Sequence, residues 1–135
     1  MRDRRLPAAL VALMPCAALA QDGPLIEVPS GQPITFHEVI RDAAGPAGLT
    51  YRFRFIAPDI ARIGGDVTFE IAVVDMDHLC NRFALQRISN IGPQPSQIVI
   101  SLSDRATAFG QAAPEATQFF EAYRVEDGVC IWESF

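Results

Sequence analysis

The amino-acid sequence predicts a small single α+β domain, a mostly antiparallel sheet of about six strands with one central helix packed on it. Three observations carry that prediction. In "LTYRFRFIAP", Tyr51, Phe53 and Phe55 alternate with Arg52 and Arg54, the period of a strand with one apolar and one wet face. From Asp75 the period changes, and Leu79, Cys80, Phe83, Ala84 and Ile88 recur at helical spacing. Near the end two β-rich runs flank Glu126-Asp127-Gly128, whose Asp-Gly pair is a hairpin turn signal.

Taken in order, the chain opens with an export leader, residues 1–20. Arg2, Arg4 and Arg5 precede an apolar run from Leu6 to Leu19, and Ala18-Leu19-Ala20 forms a small-x-small cleavage pattern before Gln21. The apolar run covers about 14 residues, short of the roughly 20 that span a bilayer. Cys16 raises a lipid anchor as an alternative, but Pro15 stands where such a site wants a small residue. No later segment is long and apolar enough for a membrane helix.

An N-terminal arm, 21–33, follows, with a strand-like piece from Leu25 to Val28 and a turn at Pro29-Ser30-Gly31. The domain proper is 34–135. "ITFHEVIRD" suits either a strand or a helical turn, and "AAGPAG" breaks the chain. The Tyr51–Phe55 strand comes next, ended by Pro58. "DVTFEIAVVD", Asp66 to Asp75, is β-branched and aromatic and predicts a buried strand; pairing with the preceding one would set Arg54 opposite Glu70. The helix starts with Asp75 or Asp77 as its cap and stops at Asn90-Ile91-Gly92-Pro93. "SQIVISLSD" is a further alternating strand, "RATAFGQAAPEA" a loop, and "TQFFEAYRVEDGVCIWESF" the closing hairpin. The first half of that hairpin also has a helical reading, starting at Pro114-Glu115; the strand is preferred.

Charge and cysteine use bound the function. Removing the leader's three arginines and one aspartate from 11 cations and 16 anions leaves eight against 15, a balance of −7 with no lysine. Such a chain has no basic stripe for nucleic acid or an anionic membrane surface. Once Cys16 leaves with the leader, Cys80 and Cys130 remain, and two cysteines in an exported chain imply a disulfide. It would close a loop of about 50 residues, worth roughly 4 kcal/mol by chain entropy. It would also pin a terminus that carries Trp132 and Phe135. A redox role would want adjacent cysteines such as Cys-x-x-Cys, which the sequence lacks.

Two candidate sites emerge. Asp75, Asp77 and His78 in "DMDH" are two carboxylates and an imidazole of metal-ligand type, with His37 as a further group, although acidic residues at a helix start are ordinarily caps. Tyr51, Arg52 and Arg54 form a candidate binding surface. No Gly-x-Ser-x-Gly elbow and no phosphate-loop pattern surrounds any serine or glycine. The terminal aromatic residue is reminiscent of outer-membrane barrels, but strands of sufficient length and number are missing.

"DMDHLC" (75–80), "QIVISLSDR" (97–105), "FGQAAPEATQFFEAYR" (109–124) and "GVCIWESF" (128–135), with the earlier "VPSG" (28–31) and "YRFRFIAPDI" (51–60), resemble a family of small exported alphaproteobacterial proteins labelled only as a domain of unknown function. The resemblance covers most of the chain after the leader. It implies export and one compact domain, and it carries no catalytic residue.

The expectation is therefore a small periplasmic or secreted protein, a non-enzymatic binding or accessory module held by a Cys80–Cys130 disulfide. It needs no cofactor, and its partner is an envelope protein or a small molecule. The alternative is a metal-binding protein or metal-dependent enzyme using Asp75, Asp77 and His78.

Overall fold

The computed structural model describes residues 7–9, 11–12, 23–45, 48–88 and 93–134. Cys16, the cleavage point Ala20–Gln21, the helix stop at Asn90-Ile91-Gly92 and Phe135 lie outside the described residues.

Five strands form one sheet in the order of the chain: β1 (Thr35–Gly45), β2 (Gly48–Ile56), β3 (Gln97–Ser103), β4 (Gln118–Glu126) and β5 (Val129–Glu133). All neighbours are antiparallel except β2 and β3, which run parallel. A parallel neighbour cannot be reached by a tight turn, so the chain must cross over one face of the sheet between them. That crossover is the helix. It runs as α1 (Phe69–Leu79), a π-helical turn (Cys80–Ala84) and α2 (Leu85–Ile88).

The stretch from Asp66 to Asp75, expected as a strand, is where α1 begins. Thr68 caps it, its hydroxyl accepting from the Ile71 N–H at 3.4 Å, and Glu70 sits in the first turn, where the helix dipole favours an anion. The buried residues Ala72, Asp75, Met76 and Leu79 follow a helical period, whereas the alternating set Phe69 and Ile71 is left substantially exposed. Burial of the helical face thus overrides β-propensity, which is a weak preference. Two expectations fall with it. Neither Asp75 nor Asp77 is a cap, because both lie inside α1. Arg54 does not face Glu70; its cross-strand neighbour is Glu38 on β1. The described strands number five, in keeping with the expected sheet of about six.

The π-turn has a geometric role. Ala72, Met76, Cys80, Ala84 and Ile88 are all buried at a spacing of four. At 3.6 residues per turn such a ladder drifts about 40° per step, and it would leave the sheet within a few turns. The wider turn at 80–84, closed by the Leu85 N–H on the Cys80 carbonyl, is underwound and offsets the drift.

Beneath the helix lie Tyr51, Phe53 and Phe55 of β2, Ile98, Ile100 and Leu102 of β3, and Tyr123 of β4. Phe83 reaches down from the π-turn into Phe36, Phe53 and Phe55, with ring centres 5.0 to 6.5 Å apart. β3 is central and buried on both faces. The closing hairpin is as expected: Asp127 (φ 51) and Gly128 (φ 74) both take the left-handed conformations that a two-residue turn between twisted strands requires. Leu25 bridges Thr35, so the strand-like piece of the arm extends the edge at β1.

Candidate functional site

The face of the sheet opposite the helix carries Arg52 and Arg54 of β2, Val99 and Ser101 of β3, and Phe120 and Ala122 of β4; Arg52 pairs in register with Val99, and Arg54 with Ser101. Alternation along a strand puts them there once Tyr51, Phe53 and Phe55 commit to the core. The loop after β3 returns over this face through Thr107 and Phe109. Together these elements enclose a pocket of about 240 Å³, lined by Arg52, Arg54, Thr107, Phe109, Gln118 and Phe120 among others.

The two arginines differ in kind. Arg54 is buried and fully engaged. It is ion-paired and hydrogen-bonded to Glu38, and its other nitrogen donates to the carbonyl and the hydroxyl of Thr107, each at 2.8 Å. Its charge is paired with Glu38, and it fastens the loop to the sheet. Arg52 is half-buried near two rings, its guanidinium carbon 5.6 Å from the centre of Phe109 and 5.5 Å from that of Phe120. Its Nε is shielded from water, and no acceptor among the described residues reaches it. Burial, and secondarily the charge of Arg54, lower its pKa from the usual arginine value. The site therefore holds one half-buried positive charge with no acidic partner among the described residues, near two phenyl rings. A buried donor without a partner is unfavourable, and an anion would relieve both the charge and the missing hydrogen bond.

Tyr51 does not belong to this surface. It is buried under the helix, and its hydroxyl donates to the Pro93 carbonyl at 2.6 Å. Conversely, reading the sequence alone misses Phe109 and Phe120. The signal available for Phe120 is the adjacent pair Phe119-Phe120 within a strand, since two neighbours cannot both face one core. For Phe109 it is a phenylalanine in a loop of small and polar residues.

The metal-type residues are dispersed. Asp75 points inward and is fully buried, accepting from the backbone N–H of Ser30 at 2.9 Å, the Ser30 hydroxyl at 2.5 Å and the Gln32 amide at 2.6 Å. Asp77 is exposed, and His37 is on β1 beside Glu38. Among the described residues, no group of three or more His, Cys, Asp or Glu side chains is placed to hold a metal ion. Asp75 is instead a latch between the helix and the arm.

Cys80 and Cys130 are joined in a disulfide, with their α-carbons 6.2 Å apart. The neighbouring Asn81 accepts from the Cys130 N–H at 3.0 Å, so the helix holds β5 through a covalent bond and a hydrogen bond side by side. That bond also occupies an N–H of the edge strand.

Two larger cavities, about 470 and 510 Å³, lie elsewhere. The first is bounded by the arm between Leu25 and Pro33, and no cation is among the described residues of its lining. In the second, Arg62 donates to the carbonyls of Pro114 and Ala116, and Arg105 pairs with Asp104, so its charges are already in use. Size alone does not make either a better candidate than the arginine pocket.

Among the described residues no helix is long and apolar enough to cross a membrane. A family of unknown function (DUF6497) matches residues 9–135. No curated protein matches, and no solved structure matches.

Proposed function

We propose, from the premise that the chain belongs to the DUF6497 family, that it is a non-enzymatic binding module working outside the cytosol, with the Arg52 pocket as its site. The observation that carries this reading is the contrast between Arg54, whose charge is spent on Glu38 and Thr107, and Arg52, whose charge is unspent. The lining favours binding over catalysis. A guanidinium stays protonated and transfers no proton near neutral pH, and phenyl rings supply no nucleophile. Among the described residues of the lining, the one hydroxyl, on Thr107, already accepts from Arg54. Work outside the cytosol is supported by the leader pattern and by the disulfide, which persists in oxidising compartments.

A melting-temperature screen tests the site. A ligand that binds the folded state raises its stability in proportion to the logarithm of its concentration over Kd. Small anions should raise the melting temperature of the natural chain and leave that of Arg52→Gln unchanged. If neutral compounds do as well as anions, or the Arg52→Gln shift equals that of the natural chain, the reading fails. An intact mass beginning at Gln21 from periplasmic material checks the compartment.

A further inference from the structure

We infer that the ligand of the Arg52 pocket is a small aromatic carboxylate carrying one negative charge; the inference rests on the binding-module reading above. Three properties of the pocket select this class. The first is charge. Glu38 cancels Arg54, so one guanidinium remains, which matches one negative charge. A phosphate monoester, carrying nearly two at neutral pH, would be left with an uncompensated charge against a half-buried wall. The second is shape. Arg52 presents a planar fork of donors, and a carboxylate is the planar group that takes two of them in parallel. The third is the flanking surface. Phe109 and Phe120 both lie within cation–π distance of Arg52 and still leave 47% and 40% of their surface open. A ring carried by the ligand would stack on them and cover that surface, at the separations aromatic pairs prefer.

Volume sets the size. At about 240 Å³ the pocket falls below the range of roughly 300–1,000 Å³ that receives drug-sized molecules, so one ring and its acid are the natural content. Phe109 sits on an exposed loop next to Gly110, which has a φ of 77°.

The test is a titration of the ¹⁵N-labelled chain followed by amide NMR shifts, with benzoate as the probe. Benzamide, inorganic phosphate and a short peptide ending in phenylalanine with a free carboxylate serve as comparators. Benzoate should move the amides of Arg52, Phe109, Gly110 and Phe120, and Arg52→Gln should weaken it about tenfold or more, the factor that 1.4 kcal/mol corresponds to. Benzamide and phosphate should bind at least about tenfold more weakly than benzoate, by the same measure. Phosphate equal to benzoate would overturn the carboxylate assignment and leave an anion pocket standing. Benzamide equal to benzoate would remove the role of charge. A peptide that outcompetes benzoate would replace the small acid with a protein chain end. If no probe shifts these amides at its solubility limit, both this inference and the pocket itself are overturned.

Discussion

Ser30 and Asp75 are 45 positions apart, and the carboxylate of one takes both the backbone N–H and the hydroxyl of the other. With the amide of Gln32 as a third donor, the "VPSG" turn is clasped to the middle of α1. A carboxylate buried in a helix face would be unfavourable alone; here, among the described residues, the bonds it accepts come from the arm. Removing it leaves the Gln32 amide without its acceptor in a buried place, and frees the exposed Ser30 turn from the helix. Asp75→Ala is therefore expected to cost about 2–4 kcal/mol, in keeping with charge-assisted hydrogen bonds lost in pairs. Urea unfolding reads the cost directly, and a change under about 0.5 kcal/mol, the range of neutral surface substitutions, would contradict the latch.

The disulfide makes a different prediction, because its effect is regional. Replacing both Cys80 and Cys130 by alanine should lower stability by roughly 4 kcal/mol or somewhat less, as a loop of about 50 residues is released. Amide exchange should quicken over Val129–Glu133, where the helix no longer holds the edge, while the central strand Gln97–Ser103 keeps its protection until global unfolding. Uniform acceleration across the sheet would show that the bond stabilises the whole chain and anchors no one strand.

How much of this was legible in the sequence depends on which forces act locally. The alternation at Tyr51–Phe55 and the Asp127-Gly128 turn depend on period and backbone conformation, and both appear as expected. The Cys80–Cys130 pair followed from the cysteine count and the expectation of export. Asp66–Asp75 misled because its residues favour strands, and what makes it a helix is the sheet face that Ala72 and Met76 cover. The role of Asp75 was hidden for a related reason: its partners sit 43 and 45 residues away in the arm. The site was half legible. Arg52 and Arg54 stand out in the sequence, but their division into one spent and one unspent charge depends on Glu38 and Thr107, which only the fold brings near.

That division gives the third prediction, since adjacent arginines of one strand face should behave oppositely. Arg54→Met removes the partner of Glu38 and the donor to the Thr107 carbonyl, and is expected to cost about 2–3 kcal/mol, below the buried-pair limit because Glu38 is partly solvated. Arg52→Gln gives up cation–π contacts and relieves a desolvated charge, so the net change should stay within about 1 kcal/mol of zero. Chemical denaturation of the two variants side by side decides it. Equal losses would mean that Arg52 has a structural role and that the pocket holds no spare charge.

The last prediction concerns alkaline pH. Tyr123 is buried on β4 under the helix, and its pKa is raised, chiefly by burial and then by the carboxylates of Asp77 and Glu121. Trp132 on the neighbouring strand donates its indole N–H to Glu121 and so keeps that carboxylate beside the phenol. The folded state thus holds Tyr123 neutral at a pH where the unfolded chain ionises it. A raised pKa contributes stability that is present in full below about pH 10, the ordinary tyrosine value, and is lost as pH rises from there through the higher folded value. The slope for one such proton reaches about 1.4 kcal/mol per pH unit. Tyr123→Phe removes the titrating group and leaves the rest of the chain unchanged. Urea unfolding at pH 8 and again near pH 11 should show the natural chain losing ground against Tyr123→Phe at the higher value. A difference between them that does not change with pH would show that the phenol ionises as readily in the fold as outside it.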